Sequence, residues 1–308
     1  MHISVVSPVY GAPTVLHELV KQIKDSVSAI TDDFEIILVE DHSPDNSQDI
    51  IREICAVDKK VKGVFLSRNF GEQNAVNAGL DLASGEWVVT LDCDLQNPPS
   101  EIINLYNKAQ EGYDMVFASR QSRKNKKIDL WGSQLFNKLL SFLTNTKQDE
   151  SLAEYVIYHR KVITAMRSMG DYVRYYPLMN HWVGFKTCTI PVKHSERGDD
   201  AGSSYTFRKK LNLALKTAIS FSTKPLHLIV YLGSIVTTIA VICAIIMAIQ
   251  DLIIGIKVSG WWTLFVSLWI IAGIMIMIMG IIAVYIGQIF EEVKRRPSYI
   301  VGDKLNFE

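Results

Sequence analysis

The sequence predicts an α/β protein whose mainly parallel sheet is followed by an amphipathic helical segment and a hairpin of two apolar helices. Three observations carry this. Short β-branched runs alternate with amphipathic segments through the first 120 residues, cations mix with leucines at helical spacing in 205–225, and two uncharged stretches fill most of 226–290. Strands separated by helical patterns form βαβ units, and strands buried on both faces read as near-continuous apolar runs.

The elements follow in order. ISVVSPV, residues 3–9, is the first strand, and residues 13–30 carry an amphipathic helix. FEIILVED (34–41) precedes a helix over 46–58 with Asp45 placed to cap it, and VKGVFLS (61–67) precedes the helical GEQNAVNAGLDLAS. EWVVTLDCD (86–94) leads to a Pro-started helix from about residue 99, capped by Ser100, and DMVFASR ends at Arg120. Residues 121–204 have mixed patterning and open with the basic run RQSRKNKK; they form a second half of the same domain.

Segment 205–225 places Leu211, Leu215 and Ile219 at helical spacing among Arg208, Lys209, Lys210 and Lys216, as a helix lying in a membrane interface requires. Leu226–Gln250 and Val258–Phe290 carry no charged residue. Each exceeds the roughly 20 helical residues that cross a hydrocarbon core, so 226–290 is read as a transmembrane hairpin and 291–308 as a C-terminal tail. Arg208, Lys209, Lys210, Lys216 and Lys224 precede the first span and Lys294, Arg295 and Arg296 follow the second, while only Asp251 and Lys257 lie between. The positive-inside rule therefore puts the sheet domain and both termini on the cytoplasmic face of an inner or plasma membrane.

Acidic and basic residues balance, 32 against 32, which gives no general attraction to nucleic acid. Cys55, Cys93, Cys188 and Cys243 form no CxxC pair and have no His at metal-ligand spacing, so they are read as reduced thiols. The N-terminus lacks the cationic leader and long apolar core of a secretory signal.

Open α/β sheets bind ligands beyond the carboxyl ends of their strands. The residues there are Pro8 and Tyr10, Glu40 and Asp41, Ser67 and Arg68, Asp92 and Asp94, and Ser119 and Arg120. Helix capping explains one or two of them, not so many carboxylates and arginines together. Asp92 and Asp94 share one face of an extended chain and can aim at one ion, with Gln96 offering another oxygen. Hard oxygen ligands suit Mg²⁺ or Mn²⁺ bridging to substrate phosphates.

DCDLQNPP, LSRNFGEQNAVNAGLDLASGEW and VEDHSPDNS resemble the family 2 glycosyltransferases of the polyprenyl-phosphate type, such as dolichyl-phosphate mannose synthase and the bactoprenol glucosyl transferases. HSERGDDAGSSYTFRKKLNLALKTAISFSTKPL is similar to the segment leading the bactoprenol group into its membrane helices. The resemblance implies a GT-A fold, inverting transfer, a metal-bound nucleotide diphosphate and a homo-oligomer, a tetramer in that group. It implies that Pro8, Tyr10, Asp41, Arg68 and Asp92 hold the nucleotide and that Asp92, Asp94 and Gln96 hold the metal. Arg120, Arg123, Arg197, Ser203 and Tyr205 would meet the acceptor phosphate, and Glu154 would orient the donor sugar. UDP-glucose is the expected donor and undecaprenyl phosphate the expected acceptor, with N-acetylhexosamine or mannose as the other sugars.

The chain departs from the family in two places. Gly11 and Ala12 replace the Asn-Glu of the PxYNE motif, and AEYVIYHR stands for SDFRLMSR, with Glu154 for Asp and Val156 for Arg. A processive polysaccharide synthase would carry QxxRW and more membrane helices, and a catalytically inert scaffold would not need Asp92, Asp94 and Gln96. Trp182, in HWVGF, is expected in the core, and His194 in a hydrogen-bonding role.

Overall fold

The computed structural model of the chain describes residues 2–120, 152–169, 176–192 and 260–307, with scattered positions between 230 and 253. One 8-stranded sheet runs in the order β7-β5-β6-β4-β1-β2-β3-β8. Its strands are β1 (Ile3–Val9), β2 (Phe34–Glu40), β3 (Val61–Leu66), β4 (Trp87–Thr90), β5 (Met115–Arg120), β6 (Leu152–His159), β7 (Thr187–Val192) and β8 (Val301–Leu305). β1 pairs in parallel with both β2 and β4, β2 with β3 and β5 with β7, whereas β6 and β8 run antiparallel to their neighbours. The first five strands are those the apolar runs predict, because β1, β2 and β4 are buried along their whole length.

Helices cover the sheet as their patterning requires. In α1 (Leu16–Ser28), Leu16, Leu19, Val20, Ile23 and Val27 fall on one face and are buried. α2 (Ser47–Val57) has Asn46 rather than Asp45 at its N-cap; Asp45, one residue earlier, accepts through Oδ1 from the Ser47 amide at 2.9 Å. Ser100 does not cap; it lies inside the short 3-10 turn Pro99–Glu101 that opens α4 (Ile102–Gln110). α3 (Glu72–Leu82) packs on β1 through Gly79, where an added Cβ would stand 2.2 Å from Val6 Cγ1. That contact holds the helix close enough for its amino end to approach the strand ends.

At the opposite edge of the sheet Glu35 is buried in β2, accepting from Ser4 Oγ, from the Ser84 amide and hydroxyl, and from Lys62 Nζ at 2.7 Å. Burial pushes its carboxyl up, yet these partners outweigh burial and hold it below the usual carboxylate range. The buried ion pair joins β2 to β3.

Beyond Arg120 the chain contributes β6, α5 (Arg160–Ser168), α6 (Tyr176–Trp182) and β7. Trp182 is not in the core; it is 72% exposed. α7 (Trp261–Lys294) contains, at Ser267–Lys294, the one stretch among the described residues long and apolar enough to cross a membrane. The described positions between 230 and 253 are helical. Segment 205–225 lies outside the described residues. Residues 301–305, expected in a tail, form β8 on the open side of β3. All eight strands, with the C-terminal residues from Arg296, belong to one compact unit, and α7 belongs to a second.

Candidate active site

Between β4 and β1 the sheet reverses its order of growth, since β1 leads outward to β2 on one side and β4 follows on the other. Such a switch point opens a crevice at the strand ends. Val6 pairs with Thr90, and the Leu91 amide donates to Val6 O at 3.1 Å, so Asp92 and Asp94 leave the sheet beside Pro8 and Tyr10. The Cys93 thiol lies against the Tyr10 backbone; burial, opposed by that contact and reinforced by Asp92 and Asp94, pushes it up to about 12. It is therefore a neutral packing group, while Tyr10 is exposed.

Past the strand the chain folds back sharply. Leu95 takes φ 58°, a left-handed conformation costing a residue of its size about 1–2 kcal/mol, and Asp94 Oδ1 accepts from the Gln96 amide at 3.0 Å. The turn brings Asp94 and Gln96 together in a tight loop. Sequence reasoning missed Asn97, which is fully buried with both amide atoms unpaired among the described residues. A buried amide after a carboxylate-rich strand end is the signal that could have found it.

At the end of β2 the carboxylates turn inward. Asp41, 2% exposed, accepts from the Phe70 amide at 2.7 Å and the Gly71 amide at 2.8 Å. Burial raises its carboxyl above the ordinary range against these two hydrogen bonds. Gly71, at φ 91°, supplies the backbone shape that lets both amides face it. Glu40, also buried, accepts from the Ser43 amide, and His42 between them takes φ 56°. Gly11, standing where the family has Asn, has φ 67° and donates its amide to Ser43 Oγ at 3.2 Å. The loop after β3 then carries Arg68, whose guanidinium lies 4.1 Å from the Phe70 ring centroid and donates to Asn69 O at 3.2 Å.

Arg120 closes β5, and β6 begins next to it, Ser119 pairing with Leu152, so the backbone of Glu154 belongs to the same edge. Arg123, Arg197, Ser203, Tyr205 and His194 lie outside the described residues. Pro8, Tyr10, Asp41, Arg68, Asp92, Asp94, Gln96, Arg120 and Glu154 thus come from one edge of the sheet. Among the described residues no three His, Cys, Asp or Glu side chains form a metal cage. Asp92, Asp94 and Gln96 offer two carboxylates and an amide oxygen, donors of the kind that could hold a hard divalent ion together with phosphate and water.

Residues 4–167 match the model of "Glycosyl transferase family 2". The chain belongs to glycosyl transferase family 2. It is therefore a glycosyltransferase. It is 34% identical over 307 residues to "Uncharacterized glycosyltransferase YkcC" of Bacillus subtilis, covering 99% of this chain and 94% of that one. It is likewise 34% identical to an "Undecaprenyl-phosphate 4-deoxy-4-formamido-L-arabinose transferase" of Shewanella sediminis, covering 98% and 92%. Among solved structures, the glucosyl-3-phosphoglycerate synthase of Mycobacterium tuberculosis with phosphoglyceric acid aligns at TM-score 0.51 and 16% identity, over 72% of this chain and 80% of that one. That likeness establishes the GT-A fold of this family 2 member.

Proposed function

We propose that this family 2 enzyme transfers one sugar from a nucleotide-sugar to undecaprenyl phosphate at the cytoplasmic face of a membrane. The observation that carries this reading is the pair Asp92 and Asp94, set beside Tyr10 at the switch point of the sheet. The full-length likeness to transferases named for undecaprenyl phosphate supports the acceptor.

A phosphate monoester has a second pKa of about 6, so near neutral pH the acceptor is already a nucleophile and needs no strong general base. Its oxygen attacks the anomeric carbon as the bond from that carbon to the diphosphate breaks, which inverts the centre. Tyr10 and Arg68 bound the nucleotide crevice, while Asp41 holds the Arg68 loop in shape from below. Asp92, Asp94 and Gln96 would hold Mg²⁺ or Mn²⁺, whose chemistry there is neutralisation of the leaving diphosphate. Arg120, with Arg123, Arg197, Ser203 and Tyr205, positions the incoming phosphate, and Glu154 orients the sugar; Arg suits phosphate geometry. Residues 1–120 thus serve the donor and 121–204 the acceptor, with the tetramer of the bactoprenol group as the expected assembly.

The topology follows from connectivity. The chain leaves the sheet-bearing unit ahead of its apolar stretches and rejoins it at Arg296, so any excursion through a bilayer has an even number of crossings. With α7 as one, Leu226–Gln250 supplies the other.

Glucose and 4-deoxy-4-formamido-L-arabinose are the sugars to compare, the first from the sequence resemblance and the second from the named relatives. Detergent-solubilised protein is given undecaprenyl phosphate and a panel of radiolabelled nucleotide-sugars. Label passing into the lipid phase with one donor supports the reading and names the sugar; no transfer from any donor contradicts it.

A further inference from the structure

We infer that the C-terminal segment from Tyr299 to Asn306 is a positioning element for the donor-side loop that carries Arg68. The inference rests on the proposed role of that loop in holding the nucleotide diphosphate.

β8 pairs antiparallel with β3, and the ladder extends past the strand, the Ser67 amide donating to Ile300 O at 2.9 Å. Ser67 is the residue before Arg68. Asp41 grips the other end of the same loop through the Phe70 and Gly71 amides, so Arg68 and Asn69 are bracketed on both sides. One residue further out, Tyr299 donates its hydroxyl to Asp81 Oδ2 at 2.8 Å, near the carboxyl end of α3, the helix that Gly71 begins. Arg167 Nε holds the other oxygen of Asp81 at 3.0 Å. The C-terminal segment therefore fixes both the start of the Arg68 loop and the far end of its helix.

The rest of the segment is anchored as firmly. Asp303 pairs with Arg52 of α2 at 2.7 Å. Asn306 donates its side-chain amide to Cys55 O and Val61 O, each at 2.7 Å, closing the turn between α2 and β3. Only residues 295–298 separate Tyr299 from the end of α7. The charged, exposed residues of β8 also suit it to protect the sheet edge from pairing with another chain. The segment runs along β3 from Gly63 to Leu66, and its first residues reach the carboxyl end, where the Arg68 loop leaves the sheet.

The test uses the full-length enzyme in detergent with Tyr299→Phe, which removes only the hydroxyl bond, and a second form ending at Ser298. UDP and GDP, each with Mn²⁺, are the calorimetric probes, undecaprenyl phosphate KM is the control, and amide hydrogen exchange is read at Ser67, Phe70 and Gly71. The expected result for Tyr299→Phe is nucleotide affinity weaker by about threefold, from the lost hydrogen bond to a carboxylate. Exchange at the three amides should be faster, with undecaprenyl phosphate KM unchanged, and the shortened form should show the same pattern more strongly, with a lower Tm from the lost strand. Unchanged exchange and affinity in both forms would overturn the inference, as would equal weakening of both substrates together with a fall in Tm. If the unaltered enzyme binds neither nucleotide, the functional reading falls instead, and faster exchange at the three amides still supports the bracketing of the loop while unchanged exchange rejects it.

Discussion

Asp94 is held where its charge matters by a neighbour in an unfavourable conformation. The left-handed turn at Leu95 and the Asp94 bond to the Gln96 amide fix the carboxylate without a salt bridge to any described residue. Asp94→Asn keeps the turn, because an amide oxygen also accepts, but removes the charge that, in the proposed function, would hold the counter-ion of the leaving diphosphate. Turnover should fall by about two orders of magnitude or more, since such charge stabilisation is a term of several kcal/mol. Steady-state kinetics with the accepted donor decide it, and undiminished kcat would remove Asp94 from the chemistry. At this scale the sequence is legible in placement, since Tyr10, Asp92 and Asp94 leave the sheet at the strand ends where the apolar runs stop. It is not legible where a side chain serves the backbone of another loop: the grip of Asp41 on Phe70 and Gly71 spans about thirty positions and leaves no local pattern. The exposure of Trp182 is hidden for the same reason, since α6 instead buries Met179 and Asn180, the latter donating to the Tyr158 hydroxyl of β6.

Among the elements, β1 to β5 are legible because strands buried on both faces must be apolar throughout. β8 is not, because VGDKL is polar and its only partner is more than two hundred residues away. The β2–β3 pair gives the prediction proper to this scale. Glu35→Ala leaves Lys62 and the Ser84 amide without their buried partner, at a cost of about 3 kcal/mol read as a lowered denaturation midpoint. Because the carboxyl of Glu35 is held below its ordinary value in the fold, its contribution is fully present above the ordinary carboxylate range and is lost as pH falls through the lower folded value. The stability gap between the two proteins should therefore narrow on acidification. A gap that widens would contradict the pairing.

At the scale of the whole molecule, the proposed function needs the sheet-bearing unit on the cytoplasmic face and a chain that crosses the membrane out and back. The return of β8 to the sheet supports an even number of crossings in that proposal, and the cations at 208–224 and 294–296 support its direction. Single cysteines placed near Lys257 should label from outside and those near Lys294 only from the cytoplasm, with the reverse pattern rejecting this topology. The claim that unites fold, site and membrane is the transfer of one sugar to a lipid phosphate. Mass spectrometry of the lipid product, made by the purified enzyme from undecaprenyl phosphate and the accepted donor, tests it most directly. The account predicts a single added glycosyl unit on one phosphate, formed at least about a hundredfold more slowly by Asp94→Asn. A lipid diphosphate, or a chain of several sugars, would contradict it.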